Sequence, residues 1–403
     1  MILRLDIIQR HGKKNLRVGF VSLPRMGRVN SDVIIAGGGI SGLVLATALQ
    51  QEGLKVQVLE AGTYPRHKVC GEFISTEVLP YLHSLQLPID ELSPVRISRF
   101  QLSSTGNRLL QTNLDMPALG ISRFALDDFL KNKAESAGVH VVEETEIVAH
   151  RSDGSLEIAI DREGNEYAAQ WYISAHGKRS RMDTFFERKF LADDDLYSGI
   201  KMHFEGDWPV DLVALHNFKG GYAGISAVEN KRINLCYLVK TSTLKELGGL
   251  LPFQEQVMRK NKALDAFFSS HTPVFDRPLA ISGIRFGKKE AVAGKVAFLG
   301  DATGLVAPLF GNGMALAVRT AHAMHGAMRQ VHFNPDRKSE ALQLYAYQWK
   351  HDIQGRLALS RTIQGLFGRP GISDLALMGA RLLPVALHSI LAKSHGKPIL
   401  PHA

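Results

Sequence analysis

The turn Gly37-Gly38-Gly39-Ile40-Ser41-Gly42 lies between the apolar run Val33-Ile34-Ile35-Ala36 and the run Leu43-Val44-Leu45-Ala46-Thr47-Ala48-Leu49, and few folds can use that arrangement. Four apolar residues in a row read as a strand buried on both faces, and the second run reads as a helix that stops at Gly53. In such a strand-turn-helix unit, Gly37 permits the tight turn and Gly39 lets the backbone approach a pyrophosphate. Gly42 lets the helix pack closely on the strand. Ile40 and Ser41 then open the helix, where free N–H groups and the macrodipole favour phosphate.

A second strand, Lys55-Val56-Gln57-Val58-Leu59, ends in Glu60. An acid at this distance from the turn suits the adenosine ribose hydroxyls of a dinucleotide and disfavours a 2'-phosphate. The plain alternative is a glycine turn in an ordinary helix–sheet protein. A later segment weighs against that alternative. Val296-Ala297-Phe298-Leu299 reads as a buried strand running into Gly300-Asp301-Ala302-Thr303-Gly304, and Pro308-Leu309-Phe310-Gly311-Asn312-Gly313 leads into an apolar helix from Met314. A carboxylate at that strand end, Asp301 after Gly300, suits ribityl hydroxyls. A helix N-terminus after Gly311, Asn312 and Gly313 suits the pyrimidine oxygens of a flavin, where negative charge gathers on reduction. The two turns together predict an α/β chain that binds FAD.

The chain has 403 residues with 45% hydrophobic content, enough for a large core and for two or three domains or subdomains. The formal charge of +9 is concentrated: residues 1–30 hold Arg4, Arg10, Lys13, Lys14, Arg17, Arg25 and Arg28 against Asp6 alone. The rest is close to balanced, so no nucleic-acid surface is expected. The basic segment 1–30 reads as a disordered N-terminal extension, either a targeting peptide or the product of a start codon placed too far upstream; it lacks the apolar stretch of a secretory signal. Cys70 and Cys236 are the two cysteines, without paired spacing, and the 16 histidines form no H-x-x-x-H or H-E-x-x-H pattern. A disulfide framework and a catalytic metal are not expected, and a reducing, cytoplasmic compartment is.

Pro65-Arg66-His67-Lys68-Val69-Cys70-Gly71-Glu72 follows the Glu60 strand and is expected to loop back across the cofactor. Cys70 beside Gly71 allows close approach to a flat ring, and Arg66, His67 and Lys68 would lower the thiol pKa if they lie near it. A buried structural cysteine is the competing reading. Arg123 opens an amphipathic helix with Leu126, Phe129 and Leu130 on one face and a stop at Gly138, followed by strand through Ala149. An arginine at a helix head can reach a phosphate or a flavin edge, although a solvated one is commoner. Trp171-Tyr172-Ile173-Ser174-Ala175-His176-Gly177 reads as a strand entering a polar turn.

In order, Gly37-x-Gly39-x-x-Gly42, Glu60, Arg123, the Gly177 turn and Gly300-Asp301 resemble the FAD-dependent monooxygenase superfamily with the aromatic-hydroxylase fold, over residues 31 to about 330. Lys68-Val69-Cys70-Gly71-Glu72 with Gly300-Asp301-Ala302-Thr303-Gly304 and Pro308 is similar to the geranylgeranyl reductase branch. Gly304 stands where hydroxylases of this fold usually carry histidine. His176 stands where an aspartate before glycine is linked in the hydroxylases to FAD and NAD(P)H binding. Flavin-dependent halogenases share the fold, but Trp208 stands alone in Gly206-Asp207-Trp208-Pro209 where they carry tryptophan-x-tryptophan.

The resemblance implies a Rossmann-like FAD-binding domain with a parallel sheet (31–82, 118–186, 283–338), interrupted by an antiparallel substrate sheet (83–117, 187–282). Arg96–Leu102 and Asn107–Gln111 alternate around Thr105-Gly106 as a hairpin, and four further strands follow between Gly199 and Tyr237. Met202, Phe204, Tyr222 and Tyr237 are candidates to line a pocket, or plain core. Residues 339–403 read as helical, with a break at Gly368-Arg369-Pro370-Gly371. Arg381–Leu391 is apolar but too short to span a bilayer, leaving a cap on the substrate domain or a position on a membrane surface.

The resulting expectation is an FAD-dependent oxidoreductase that passes hydride from reduced flavin to an apolar, isoprenoid or polyketide-like substrate. Cys70 is placed near the ring as proton donor or packing element, and Glu72 holds the loop or a proton path. Electrons come from NAD(P)H or from a separate reductase or ferredoxin. Hydroxylation or epoxidation by a monooxygenase is the alternative, with halogenation and a non-catalytic flavin scaffold behind it.

Overall fold

The computed structural model describes residues 7–10, 13–16, 31–178, 181–188, 196–286, 289–304, 313–364, 368–382 and 396–402. The apolar run becomes the strand Val33–Ala36, fully buried, and the next helix runs Ile40–Gln51. Val33–Ala36 pairs in parallel with Val56–Leu59 on one side and Trp171–Ser174 on the other. The full sheet order is Val292–Ala293, Val296–Phe298, Trp171–Ser174, Val33–Ala36, Val56–Leu59, His140–Val142. All neighbours are parallel except the terminal Val292–Ala293 pair. The helix Ile40–Gln51 is buried almost all round because it packs on this sheet and between the helices Arg123–Ser136 and Gly313–Gln330.

The strand expected through Ala149 is two strands. His140–Val142 closes the parallel sheet, and Ile147–Asp153 starts a separate three-stranded antiparallel sheet with Leu156–Asp161 and Glu166–Ala169. Glu144, at a φ of 55°, turns the chain between them. In the basic N-terminal segment, expected to be disordered, Ile7–Arg10 pairs antiparallel with Lys13–Leu16, with Ile7 opposite Leu16.

The second large sheet has nine strands. Its path is Thr272–Pro273, Tyr197–Glu205, Arg232–Lys240, Gly221–Val228, Leu212–Phe218, Val95–Ser103, Leu109–Gly120 and Phe73–Ser75, with Leu279–Ile284 also on Tyr197–Glu205. All pairs are antiparallel except Leu212–Phe218 with Val95–Ser103. Strand alternation divides its side chains between two faces. One face carries Ile200, Phe204, Ala223, Ile225, Ile233, Leu235, Tyr237 and Val239, packed beneath Phe253, Met258, Leu264 and Phe267 of the helical excursion 241–270. The other carries Phe100, Leu102, Leu110, Leu215, Tyr222 and Leu238, packed with Ile284, Phe286 and Leu377.

This division decides between the two readings of the pocket candidates. Met202, Phe204 and Tyr237 belong to the helix-covered core, and Tyr222 alone of the four pocket candidates lies on the opposite face. The C-terminal region holds the helices Lys338–Asp352, Gln354–Gln364 and Ile372–Leu382. The rest of the apolar Arg381–Leu391 stretch beyond Leu382 lies outside the described residues.

Candidate functional site

Ligands of open α/β sheets bind at the carboxyl ends of the strands, and the glycines there are constrained by contact. Gly37 has a φ of +112°, and a Cβ on it would stand 2.3 Å from the Ala175 carbonyl oxygen. A Cβ on Gly42 would stand 2.0 Å from the Gly37 carbonyl oxygen. Gly39 differs: it is the N-cap of the helix, no side chain caps it, and a Cβ there would meet no atom within 4 Å. The same open space lies beside Gly71, Gly177 and Gly313. Each of these four glycines, from separate segments, could therefore carry a ligand against its backbone. A cavity of about 430 Å³ lined by Ser31, Lys55, Gln57, His140 and Tyr167 lies at the amino ends of the strands, away from this site.

Glu60 is buried, and its carboxylate accepts from Gly38 N (2.7 Å) and Gly62 N (3.0 Å) while pairing with Arg66. Burial alone would raise its pKa, but Lys68 and Arg66 outweigh that and hold it below the usual range. Arg66 is thus engaged by Glu60. Tyr64 Oη donates to the Gly38 carbonyl oxygen and fastens the turn from outside.

Arg123 is half-buried at the head of the helix Arg123–Ser136, which Ser122 caps by accepting from Ala125 N (3.1 Å). Its guanidinium forks onto Asp127 with two bonds of 2.6 Å, and Lys68 reaches the same carboxylate (2.8 Å). Burial opposes the arginine's charge; Asp127, with Cys70 and Asp301 also in electrostatic reach, more than restores it and pushes the pKa up. Arg123, Cys70 and Asp301 come from three distant segments, with Cys70 and Asp301 both within electrostatic range of the arginine. Gly300, at a φ of +57°, brings its backbone against Ser41, where a Cβ would be 2.8 Å from Oγ, and so joins the late turn to the first helix. Gly311 and Asn312 lie outside the described residues.

The three basic residues before Cys70 each have other partners or surroundings of their own. Arg66 is committed to Glu60 and Lys68 to Asp127. His67 is held neutral, its pKa pushed down to about 4 by burial and by the charges of Lys201 and His203. Arg123 lies within electrostatic range of the thiol, and Lys178 Nζ donates to the adjacent Val69 carbonyl (3.3 Å). Cys70 Sγ accepts from Glu72 N (3.4 Å), and the Cys70 carbonyl accepts from Asn234 Nδ2 (3.1 Å). The Asn234 Oδ1 and His67 Nδ1 atoms are buried with no hydrogen-bond partner among the described residues.

Glu72 is fully buried and sits at a φ of +54°, which a non-glycine residue adopts only when its surroundings hold it there. Its Oε1 accepts from Lys201 Nζ and Arg123 N (2.7 Å), and Oε2 bonds His203 Nε2 (2.6 Å). Burial would raise the Glu72 pKa; His203 and Lys201 override it and hold the carboxyl below its ordinary value. Lys201 and His203 project from the face of the substrate sheet opposite its helix-covered core, opposite Cys236 and Asn234 in register. The Cys70–Glu72 loop is thereby bolted to that face. Cys236 is pushed up to about 12 by burial and by Cys70 nearby.

Sequence reading missed Lys201 and His203. The signal was the alternation in Gly199-Ile200-Lys201-Met202-His203-Phe204: apolar residues point one way and the cation and imidazole the other. His67, Glu72 and His203 also bring one ligand atom each within 4.8 Å of one another. No spacing rule reveals that grouping, since the residues come from separate segments. Lys201 already supplies the carboxylate with a positive charge.

His176 bonds Ser174 Oγ through Nδ1 (2.7 Å), and its Nε2 lies 3.4 Å from Asp183 Oδ1. Asp183 also takes Arg188 (2.9 Å) and Lys289 (3.0 Å). The acid missing at position 176 thus recurs at 183, inside a buried ion network.

This fold and these strand-end turns define a dinucleotide-binding flavoprotein. Residues 30–348 match the model of the FAD binding domain family, and the chain belongs to that family. It is an FAD-dependent oxidoreductase of the monooxygenase and halogenase superfamily. Among curated relatives, it is 23% identical over 376 residues to conditioned medium factor receptor 1 of Dictyostelium discoideum, covering 86% of this chain and 72% of that protein. It is 22% identical over 317 residues to menaquinone reductase of Mycobacterium tuberculosis, covering 72% and 74%. The flavin-dependent brominase Bmp2 superposes with a TM-score of 0.71 at 16% identity, over 90% of this chain and 93% of that one, a likeness of fold.

FAD fits the residues present: Gly39 and the open N-terminus of Ile40–Gln51 would hold the pyrophosphate, Glu60 the ribose side, and Asp301 with Gly313 the ribityl and ring.

Proposed function

We propose that the protein reduces a carbon–carbon double bond, or a comparable conjugated system, in an apolar isoprenoid or polyketide-like substrate. The observation that carries this reading is the loop Cys70-Gly71-Glu72, held over open space by a buried Lys201–Glu72–His203 cluster. Bound FAD in its reduced form supplies a hydride to one carbon. The chain supplies the rest. In this reading Cys70 Sγ gives its proton to the neighbouring carbon, and Arg123, within electrostatic range, stabilises the thiolate that remains. The Glu72 cluster sets the position of that sulfur.

The face opposite the helix-covered core supports the substrate class. It is polar at the loop end, with Lys201, His203 and Asn234, and apolar beyond, with Leu215, Tyr222, Leu238 and Phe286. The relative named menaquinone reductase points the same way. Gly304 has a φ of +127°, a backbone state in which the histidine of the hydroxylases would be strained. The Lys68–Glu72 and Gly300–Gly304 motifs favour the geranylgeranyl reductase branch within the superfamily. NADH, NADPH and a reduced ferredoxin are the electron donors to compare.

The test is an anaerobic single turnover. Photoreduced protein is mixed with menaquinone in detergent micelles, or with geranylgeranyl diphosphate, and the products are weighed by mass spectrometry. Gain of two hydrogens that persists after air has reoxidised any quinol supports the reading; no such product, or gain of one oxygen in air, contradicts it.

A further inference from the structure

The helix Ile372–Leu382 sits on the substrate sheet the wrong way round for a surface helix. Its inward side is partly polar. Ser373 is buried and bonds Thr105 through Oγ (3.1 Å), Asp374 accepts from Ser104 Oγ (2.6 Å), and Leu377 with Ala380 packs on the apolar end of the sheet face. Its outward side is almost wholly apolar: Ile372 is 38% exposed, Leu375 69%, Met378 41% and Leu382 78%, with Ala376 and Gly379 exposed between them. These residues fall on one stripe at helical spacing. The stripe extends to Leu109, 43% exposed, whose carbonyl accepts from Arg381. A monomer in water gains nothing from presenting such a stripe.

Charge around the stripe selects the occupant. Arg369 and Arg381 are exposed at and before the helix, Arg108 pairs with its Asp374, and the exposed Lys260 and Lys262 meet the same hairpin tip through their backbone atoms at Asn107. Asp374 is paired with Arg108 (3.6 Å), and Glu255 and Asp265 of the 241–270 excursion with Arg259 (2.9 and 2.7 Å). An aliphatic stripe bordered by cations has the chemistry of a helix face seated in anionic lipid. A protein hot spot would be aromatic and centred on a pocket.

We propose that this helix docks the protein on an anionic lipid bilayer, with Ile372, Leu375, Met378 and Leu382 in the acyl boundary and the lysines and arginines at the headgroups. The docking stands on the helix itself and holds whichever reaction the flavin performs. It also places the apolar end of the sheet face, through Leu377, directly behind the membrane-facing surface.

The FAD-loaded full chain is floated with vesicles of phosphatidylcholine alone and of phosphatidylcholine with phosphatidylglycerol. The protein should rise with the anionic vesicles and release in high salt. The double variant Leu375→Glu/Leu382→Glu should lose roughly tenfold in bound fraction while keeping its flavin absorbance and elution volume, since both side chains are exposed in the fold. Wild-type protein that stays with the pellet fraction, or a double variant that floats equally well, overturns the proposal. So does a wild-type dimer that the double variant converts to monomer, because the stripe would then cover a second copy of this chain.

Discussion

At Cys70 the physical question is what one sulfur contributes beyond volume. Its loop is held by the Glu72 cluster and its carbonyl by Asn234, so removing the thiol leaves the scaffold intact. Cys70→Ala should keep FAD and thermal stability and lose about 10²–10⁴-fold in turnover, the range of a missing proton donor. Unchanged turnover would make Cys70 a packing residue. Glu72 and Lys201 behave differently, because removing one member of a buried pair strands the other. Lys201→Met should cost about 3–5 kcal/mol of stability, measured by denaturant unfolding; a loss under about 1 kcal/mol would mean the pair is solvated. Glycines sort by the same logic. Gly39→Ala should fold normally and lose flavin, since its Cβ points into open space. Gly42→Ala should lose both, since its Cβ meets the Gly37 carbonyl. The 450 nm to 280 nm absorbance ratio and the melting temperature separate the two; equal behaviour would contradict the assignment of space to the pyrophosphate. Gly37, Gly42, Glu60 and Arg123 were legible because a backbone constraint or a register distance marks them. Lys201 and His203 were not, because only the pairing with Arg232–Lys240 and the helix cover on the other face show which way their strand points.

Elements carried different amounts of information. Val33–Ala36, Trp171–Ser174 and Val296–Phe298 were readable as continuous apolar runs, which is what strands covered on both faces require. The hairpin Val95–Ser103/Leu109–Gly120 was readable from alternation around a turn. What sequence withheld was the identity of each face. In the substrate sheet both faces are apolar over much of their length, so Met202, Phe204 and Tyr237 looked as available as Tyr222 until the helices of 241–270 were seen to cover them. The split of 139–149 into two strands was equally hidden, because the turn rests on the left-handed backbone of Glu144, not on a glycine.

Across the whole molecule, burial keeps several histidines neutral. His216 is pushed down to about 4 by burial, and His322 and His325 to about 3 by burial and by His402, which lies against them from the C-terminal segment. In the unfolded chain these groups take protons near pH 6.5. The folded state then binds fewer protons, so stability is full above about pH 6.5 and falls as pH drops from there toward 4. Below the ordinary carboxylate range a second loss begins. Glu157, where hydrogen bonds from His150, Lys338 and Ser152 outweigh burial and hold the pKa at about 2, contributes stability that protonation removes. Melting temperature should therefore decline in two stages on acidification; a flat profile from pH 7 to 4.5 would contradict the neutral histidines. The same architecture decides the chemistry, since an FAD-dependent oxidoreductase with this fold can send its electrons to a substrate or to oxygen. Anaerobic photoreduction of the purified protein, followed by stopped-flow mixing with oxygenated buffer, distinguishes them. Slow reoxidation with no spectrum beyond those of the reduced and oxidised flavin is the predicted result. A transient band belonging to neither would contradict the reductase account and make the protein an oxygenase.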